Sequence, residues 1–194
     1  MATSTPWGRS QGSKSYARGI VGYTTASHGG IHLSPTRNAA VHPAWRNVRG
    51  WYEEDSDYNV VVFTFPDYFE PLDVERAREH LRNNKPDAYM AVTGEVLTEA
   101  DSWKLSQRAL RAKHREDFVV LSAWGDWHAN VPKGKVGVLA CKGGRDEDYR
   151  SDRASESYFL VDHARYDEGR RSCSIGYVVD LEVDLPWRGP WQWP

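Results

Sequence analysis

Helical patterning in this chain is confined to its middle, between two regions of strand-like sequence. Leu72–Asn83, Asp87–Val92 and Thr98–Arg115 place apolar residues at helical spacing. The last of these segments opens with Thr-Glu-Ala-Asp, which has the spacing of a capping box. A run of helices bounded by runs of strands favours an α+β fold over an alternating α/β fold. We therefore predict an α+β fold, a single compact domain in which two or three helices pack on one face of a mostly antiparallel sheet.

The segments on either side of the helical region have strand composition. Asn59–Phe65 is the strongest strand prediction, because it is β-branched and aromatic and ends at Pro66. Ser34 and Pro35 predict the start of a short helix that continues through Val41, with Ser34 as the N-cap. The other predicted strands are Gly19–Thr25, Phe118–Trp124, Gly134–Cys141, Ser157–Val161 and Ile175–Asp180.

Length and composition bound the class of protein. A chain of 194 residues favours one domain, and 9 Trp, 10 Tyr and 5 Phe are enough to build its core. No apolar run reaches the roughly 18 residues of a membrane span, and the first residues do not resemble a secretory signal. We expect a cytoplasmic protein with no membrane contact, divided into a flexible N-terminal arm (1–15), one α+β domain (16–186) and a Trp- and Pro-rich C-terminal tail (187–194).

Charge is distributed unevenly along the chain. The formal net charge is −2, yet residues 1–52 contain six Lys and Arg and no Asp or Glu. An acid-free segment of this kind favours an anionic small ligand such as a phosphate or a carboxylate. Nucleic acid is a weaker candidate partner, because the sequence contains no recognisable nucleic-acid-binding motif.

Within the acid-free region, Thr24–Ser34 is the densest polar segment. Gly29 and Gly30 can reach positive φ and allow a ligand to approach backbone N–H groups. A helix beginning near Pro35 would point further N–H groups at an anion. The alternative is that the two glycines form a tight turn and that the histidines are ordinary surface or core residues. The predicted ligand-binding residues are Thr25, Ser27, His28, Gly29, Gly30, His32, Arg37 and Asn38.

An acidic run, Glu53–Asp57, begins where the acid-free region ends. Carboxylates beside an imidazole can hold a divalent metal or position a general base. The alternative is a solvated turn that neutralises nearby arginines, namely Arg37, Arg46 and Arg49. The sequence has no metal-binding motif, so no metal and no cofactor are predicted. No nucleophile motif is present either, and whether the protein is an enzyme stays open. If it is one, the candidate catalytic residues are His28, His42, Glu53 and Glu54.

Tryptophans mark the end of one predicted strand and the C-terminal tail. Clustered indoles at a strand end or beside prolines either cap the core or contact a partner. The predicted partner-binding residues are Trp124, Trp127, Trp187, Trp191 and Trp193.

Two motifs in the first half of the chain are distinctive in combination: Ser-His-Gly-Gly-Ile-His-Leu-Ser at Ser27–Ser34 and Gly-Trp-Tyr-Glu-Glu-Asp at Gly50–Asp55. In these motifs the chain resembles an uncharacterised domain family encoded by bacteriophages, plasmids and related mobile elements. The resemblance continues toward Trp124 and brings no known activity with it. It implies a mobile-element origin and a host-directed or defence-related accessory role.

Two hypotheses of different class remain. The first is a phage or mobile-element accessory protein that binds a host or defence-system component, as in host takeover or anti-defence inhibition. The second is an enzyme, or a nucleotide- or phosphate-binding domain, that uses the His28-Gly29-Gly30 loop with the acids of Glu53–Asp57. The second requires His28 to lie within hydrogen-bond or shared-metal reach of Glu53, Glu54 or Asp55.

Overall fold

The computed structural model describes residues 2–191. The chain divides into two compact units, Met1–Leu105 and Ser106–Pro194, where its length predicted one domain. Each unit contains a four-stranded antiparallel sheet together with helices, so the predicted α+β fold is confirmed.

The N-terminal unit is built around a sheet of strand order β3-β4-β5-β6, with a separate β1-β2 hairpin before it. Its strands are β1 (Ser4–Thr5), β2 (Gly8–Arg9), β3 (Gly12–Ala17), β4 (Ile20–Thr24), β5 (Gly29–Leu33) and β6 (Trp51–Glu53). Its helices are α1 (Pro35–Ala40), α2 (Tyr58–Thr64), α3 (Pro71–Asn84) and α4 (Pro86–Thr93), and α5 (Trp103–Lys113) begins just before the division between the units.

Residues 1–15, expected to form a loose arm, contain regular structure instead. Two short strands pair with each other, and Gly12–Ser15 pair with β4. The Trp7 ring lies over Gly30 of β5 and meets Trp51 edge-on at 5.8 Å between ring centroids. The aromatic side chain thus ties this segment to the sheet, which residue composition alone did not indicate.

The strongest strand prediction, Asn59–Phe65, is wrong, because Tyr58–Thr64 forms helix α2. Val60, Val61 and Val62 are all fully buried, so this short helix is enclosed on several sides. A continuous apolar run does not distinguish a buried strand from a buried helix. The weak helix propensity of valine is outweighed here by tertiary packing.

The core of the N-terminal unit lies between the sheet and helices α2 to α4. Ile31, Leu33 and Tyr52 from the sheet pack with Val61 and Leu81 from the helices, all 2% exposed or less. The predicted helix after Ser34 is present as α1, and the Ser34 side chain accepts a hydrogen bond from the Arg37 backbone N–H. Thr98 and Asp101 form the predicted capping contact, but the helix itself begins later, at Trp103.

The C-terminal unit has a sheet of order β10-β9-β8-β7. Its elements are β7 (Phe118–Trp124), β8 (Lys135–Lys142), β9 (Ser157–Asp162), α6 (His163–Ser172) and β10 (Leu185–Pro186). The strand expected at Ile175–Asp180 is reduced to a single bridge between Val178 and Val119 of β7. In the part of the chain that the structure describes, no helix has the length and apolar character needed to cross a membrane.

Candidate functional site

The pairing of β5 with β6 brings His28 to the acidic run. Gly30 of β5 pairs with Glu53 of β6, and the Glu54 N–H donates to the Gly29 carbonyl. His28 Nδ1 consequently lies 3.8 Å from Glu53 Oε1. One ligand atom from each of four side chains lies within 4.8 Å of the others: His28, Glu53, Glu54 and Asp55.

Glu53 is the best-held member of this cluster. Its Oε2 accepts hydrogen bonds from the backbone N–H groups of Asp55 and Ser56, both at 2.9 Å, while Oε1 faces His28. The His28 side chain is 54% exposed and that of Glu53 24% exposed. Three carboxylates and one imidazole at this spacing are a suitable donor set for a borderline divalent cation, or for proton transfer between Glu53 and His28.

The two glycines beside His28 serve the sheet rather than a ligand. Both lie in β5 and neither has a positive φ, so they adopt neither the positive-φ conformation nor the tight turn that the sequence left open as alternatives. A Cβ on Gly30 would overlap the Trp7 ring, and a Cβ on Gly29 would overlap the Glu54 carboxylate. The space above each glycine is therefore filled by the protein's own side chains.

The other polar residues of the turn bond to one another. The Thr25 hydroxyl donates to the His28 carbonyl at 2.7 Å and accepts from the backbone N–H groups of Ser27 and His28. These bonds close the β4–β5 turn, and Thr25 and Ser27 thus have an evident structural role.

Arg37 and Asn38 also have structural partners. The Arg37 guanidinium donates to the Arg18 carbonyl and the Tyr68 hydroxyl, and lies over the Tyr68 ring. Asn38 is buried, donates to the Asn47 carbonyl and accepts from the Tyr52 hydroxyl at 2.6 Å. Helix α1 has six residues, and in its first turn the Arg37 N–H donates to the Ser34 side chain.

The two other candidate histidines, His32 and His42, lie outside the four-residue cluster. The His32 ring stacks on Trp51 at 4.4 Å between centroids, and burial lowers the pKa of its imidazole. His42 is exposed, and its Nδ1 accepts from the Ala44 N–H. Of the four candidate catalytic residues, the structure therefore gathers His28, Glu53 and Glu54 and leaves His42 apart.

The acidic run does not neutralise the arginines that precede it. Among the described residues its ion pairs join Glu53 to His28 and Asp57 to Lys85. Arg46, by contrast, donates to the backbone carbonyls of Val41 and Ala39. The alternative interpretation of the sequence, in which the acids neutralise Arg37, Arg46 and Arg49, is therefore corrected: the acids pair with His28 and Lys85 instead.

A cavity that the sequence did not indicate opens beside Glu54. It has a volume of about 360 Å³. Burial raises the pKa of the Tyr58 hydroxyl in its wall to about 12, with smaller contributions from Tyr16 and Asp73. The residues that define it are Lys14, Tyr16, Gly22, Ile31, Glu54 and Tyr58. Gly22 in an otherwise β-branched and aromatic strand is the one sequence signal that could have indicated a gap there.

The tryptophans of the C-terminal unit fall into two groups. Trp124 and Trp187 pack against each other at 5.9 Å and against Tyr158. Trp127 and Trp191 are 77% and 76% exposed. Trp193 lies outside the described residues.

A family model for a domain of unknown function, DUF7007, matches residues 1–115 of the chain. The match covers more than half of the sequence, and the chain therefore belongs to this family. No curated protein and no solved structure shows significant similarity to it.

Proposed function

We propose that this member of the DUF7007 family is an accessory protein of a phage or other mobile element that binds a host or defence-system protein in the bacterial cytoplasm. The origin and the class of partner rest on the sequence resemblance described above. The observation that carries the binding role is the exposure of two indoles, Trp127 and Trp191, in the C-terminal unit. Large aromatic side chains of this kind supply much of the binding energy at protein interfaces.

The segments that carry these indoles are joined by Asn130. The Asn130 side-chain amide donates to the Pro190 carbonyl at 2.9 Å. The Asn130 backbone carbonyl accepts from Trp187 Nε1 at 3.2 Å. Residues 187–190 are thus fixed on the β7–β8 loop. A surface whose backbone is already ordered loses less conformational entropy when a partner binds.

Affinity capture from bacterial lysate with wild type, Trp127→Ala, Trp191→Ala and the double variant tests the binding role. We expect a stoichiometric protein partner with wild type and a loss of about thirtyfold or more with the double variant, as for a hot spot of about 2 kcal/mol or more. Leu181→Ala, a truncation of another exposed apolar side chain in the same unit, is the matched control and should retain the partner. Absence of a stoichiometric partner, or equal capture by all variants, contradicts the proposal.

A second candidate function is favoured by the four-residue cluster at His28. The alternative hypothesis required His28 to reach the acids, and its Nδ1 lies 3.8 Å from Glu53 Oε1. In this role the cluster holds a divalent cation, or His28 and Glu53 exchange a proton with a bound substrate.

Titration with Zn²⁺ and Mn²⁺, followed by calorimetry, tests the cation role. His28→Ala and Asp55→Asn should each weaken binding at least tenfold, and His42→Ala, which lies outside the cluster, should not. Equal binding by His28→Ala and wild type would exclude the cluster as the site.

A further inference from the structure

One position in the wall of the cavity beside Glu54, Gly22, has no side chain. Lys14, Gly22 and Ile31 form one cross-strand row over β3, β4 and β5. At Gly22 a Cβ would lie 3.1 Å from Cε2 of Tyr16, so a larger side chain would press on the Tyr16 ring that lines the cavity. Gly22 and Ile31 thus form an apolar floor.

The aromatic walls of the cavity are held in place by a third ring. Tyr16 packs on Phe69 at 4.8 Å between centroids, and Tyr58 meets the same ring edge-on at 5.9 Å. A planar group between the two tyrosines would therefore meet surfaces that are already ordered, which favours binding of an aromatic ring.

The charged groups at the cavity come from opposite edges of the sheet. Lys14 is in β3 and Glu54 directly follows β6, the two edge strands. Three strand spacings of about 4.8 Å separate these edges by roughly 14 Å at the backbone. Within residues 2–191, neither side chain forms an ion pair, although the Lys14 ammonium lies 4.6 Å from the centre of the Tyr16 ring.

We propose that this cavity binds a small aromatic zwitterion whose ammonium and carboxylate are at opposite ends, of which an aromatic dipeptide is the simplest example. The ammonium pairs with Glu54, the carboxylate pairs with Lys14, and the ring lies between Tyr16 and Tyr58. A simple anion is repelled by Glu54 and a simple cation by Lys14, so the pair of charges selects the zwitterion. The volume of about 360 Å³ suits a ligand of this size. The site is in the N-terminal unit and does not depend on the proposed partner binding.

Calorimetric titration of the full chain with glycyl-tyrosine and three analogues tests the ligand class. N-acetyl-glycyl-tyrosine lacks the ammonium, glycyl-tyrosine amide lacks the carboxylate, and glycyl-glycine lacks the ring. Glycyl-tyrosine should bind in saturable fashion, and each analogue should bind at least tenfold more weakly. Adenosine monophosphate, an aromatic anion without an ammonium, should not compete.

Variants of the chain locate the site. Gly22→Val, which displaces the Tyr16 ring in the cavity wall, should abolish binding. Glu54→Gln should weaken glycyl-tyrosine about tenfold but should not weaken the N-acetyl analogue, whose negative charge Glu54 repels. Lys14→Met should weaken glycyl-tyrosine about tenfold but should not weaken glycyl-tyrosine amide, which lacks the carboxylate. Glu99→Gln, at an exposed position of the same unit, is the control. If Gly22→Val does not fold, the two charge variants decide.

Failure of glycyl-tyrosine to bind at 10 mM would falsify the proposal. Equal binding of the N-acetyl analogue, or unchanged binding in Glu54→Gln and Lys14→Met, overturns it as well. None of these results bears on Trp127 and Trp191, so this site and the proposed partner binding fail or succeed separately. Glu54 also belongs to the four-residue cluster at His28, and His28→Ala, which leaves both charged groups of the cavity in place, distinguishes the two sites.

Discussion

Two segments of the described chain, at Trp7 and at Trp187, are fixed by the same arrangement, a tryptophan ring over a glycine of a central strand. Trp7 lies over Gly30 of β5, and Trp187 lies over Gly137 of β8. A Cβ on either glycine would overlap the indole. In each sheet a glycine on an inner strand leaves room for the indole. Trp7 belongs to the predicted N-terminal arm, and Trp187 to the predicted C-terminal tail.

The surroundings of the two glycines differ in one respect. A Cβ on Gly30 would also overlap the backbone carbonyl of Tyr52, whereas the nearest atoms above Gly137 all belong to the Trp187 ring. Backbone cannot move without disturbing the pairing of β5 with β6, but a ring can tilt. Gly30 is therefore required by the backbone of β6 as well as by Trp7, whereas Gly137 is required only by the Trp187 ring.

The largest expected effect is that of Gly30→Ala. It should lower the free energy of unfolding by about 3 kcal/mol, at the upper end for overpacking, because both Trp7 and the Tyr52 carbonyl must move. Urea unfolding followed by fluorescence measures the loss. Adding Trp7→Ala should not restore stability, since the carbonyl contact remains. Restoration by Trp7→Ala would show that the two glycines are equivalent after all.

Gly137→Ala should cost less, about 2 kcal/mol, because the new methyl group displaces only Trp187. In a Trp187→Ala background the same substitution should cost under about 0.5 kcal/mol, a strong coupling in a double-mutant cycle. Additive effects of the two substitutions would contradict the assignment of Gly137 to the Trp187 ring.

The sequence predicted the class of the fold and several strands, because β4, β7, β8 and β9 have alternating or β-branched sequences bounded by turn residues. It did not predict β5, since Gly29 and Gly30 have low strand propensity and are stabilised there by Trp7 and Glu54. Helix α2 was missed for the opposite reason, because its valines favour a strand until they are enclosed on several sides.

The candidate site was predicted in part. His28 and the acids were named from residue type, and the pairing of β5 with β6 brings them together. Arg37 and Asn38 were also named, but their bonds to Tyr68 and Tyr52 depend on contacts distant in sequence. The cavity at Gly22 was not predicted, because it depends on which residues of three strands form one cross-strand row.

A third, smaller effect concerns buried hydroxyls, which differ between the units. Tyr52 bonds to the amide groups of Asn38 and Asn47, whereas the Tyr177 hydroxyl donates to the Asp184 carboxylate at 2.9 Å. Tyr52→Phe should lower the free energy of unfolding by about 1 kcal/mol, and Tyr177→Phe by somewhat more, since bonds to charged groups are stronger. Urea unfolding measures both, with Tyr149→Phe, at an exposed ring, as the control. A smaller loss of unfolding free energy in Tyr177→Phe than in Tyr52→Phe would contradict this prediction.

The smallest effect is one of pH and is confined to the N-terminal unit. Burial lowers the pKa of His32 and of His80, the latter also through Lys85. Stability is therefore unaffected by these two histidines above the unfolded pKa of about 6.5 and falls as the pH drops from that value through their lower folded pKa, because the unfolded chain then binds more protons. Hydrogen exchange should show a smaller opening free energy at pH 5.5 than at pH 7 in residues 2–105. His32→Phe should reduce this difference, and an unchanged difference in that variant would contradict the role of His32.

The paired indoles of each unit also have an optical consequence. Trp7 and Trp51 lie 5.8 Å apart with ring planes at 89°, and Trp124 and Trp187 lie 5.9 Å apart at 63°. Aromatic chromophores this close and this strongly inclined couple their excited states and give split circular-dichroism bands. Each unit therefore contributes its own split circular-dichroism band. Replacing one tryptophan of a pair should remove the split band of that unit, so each unit can be followed without a label.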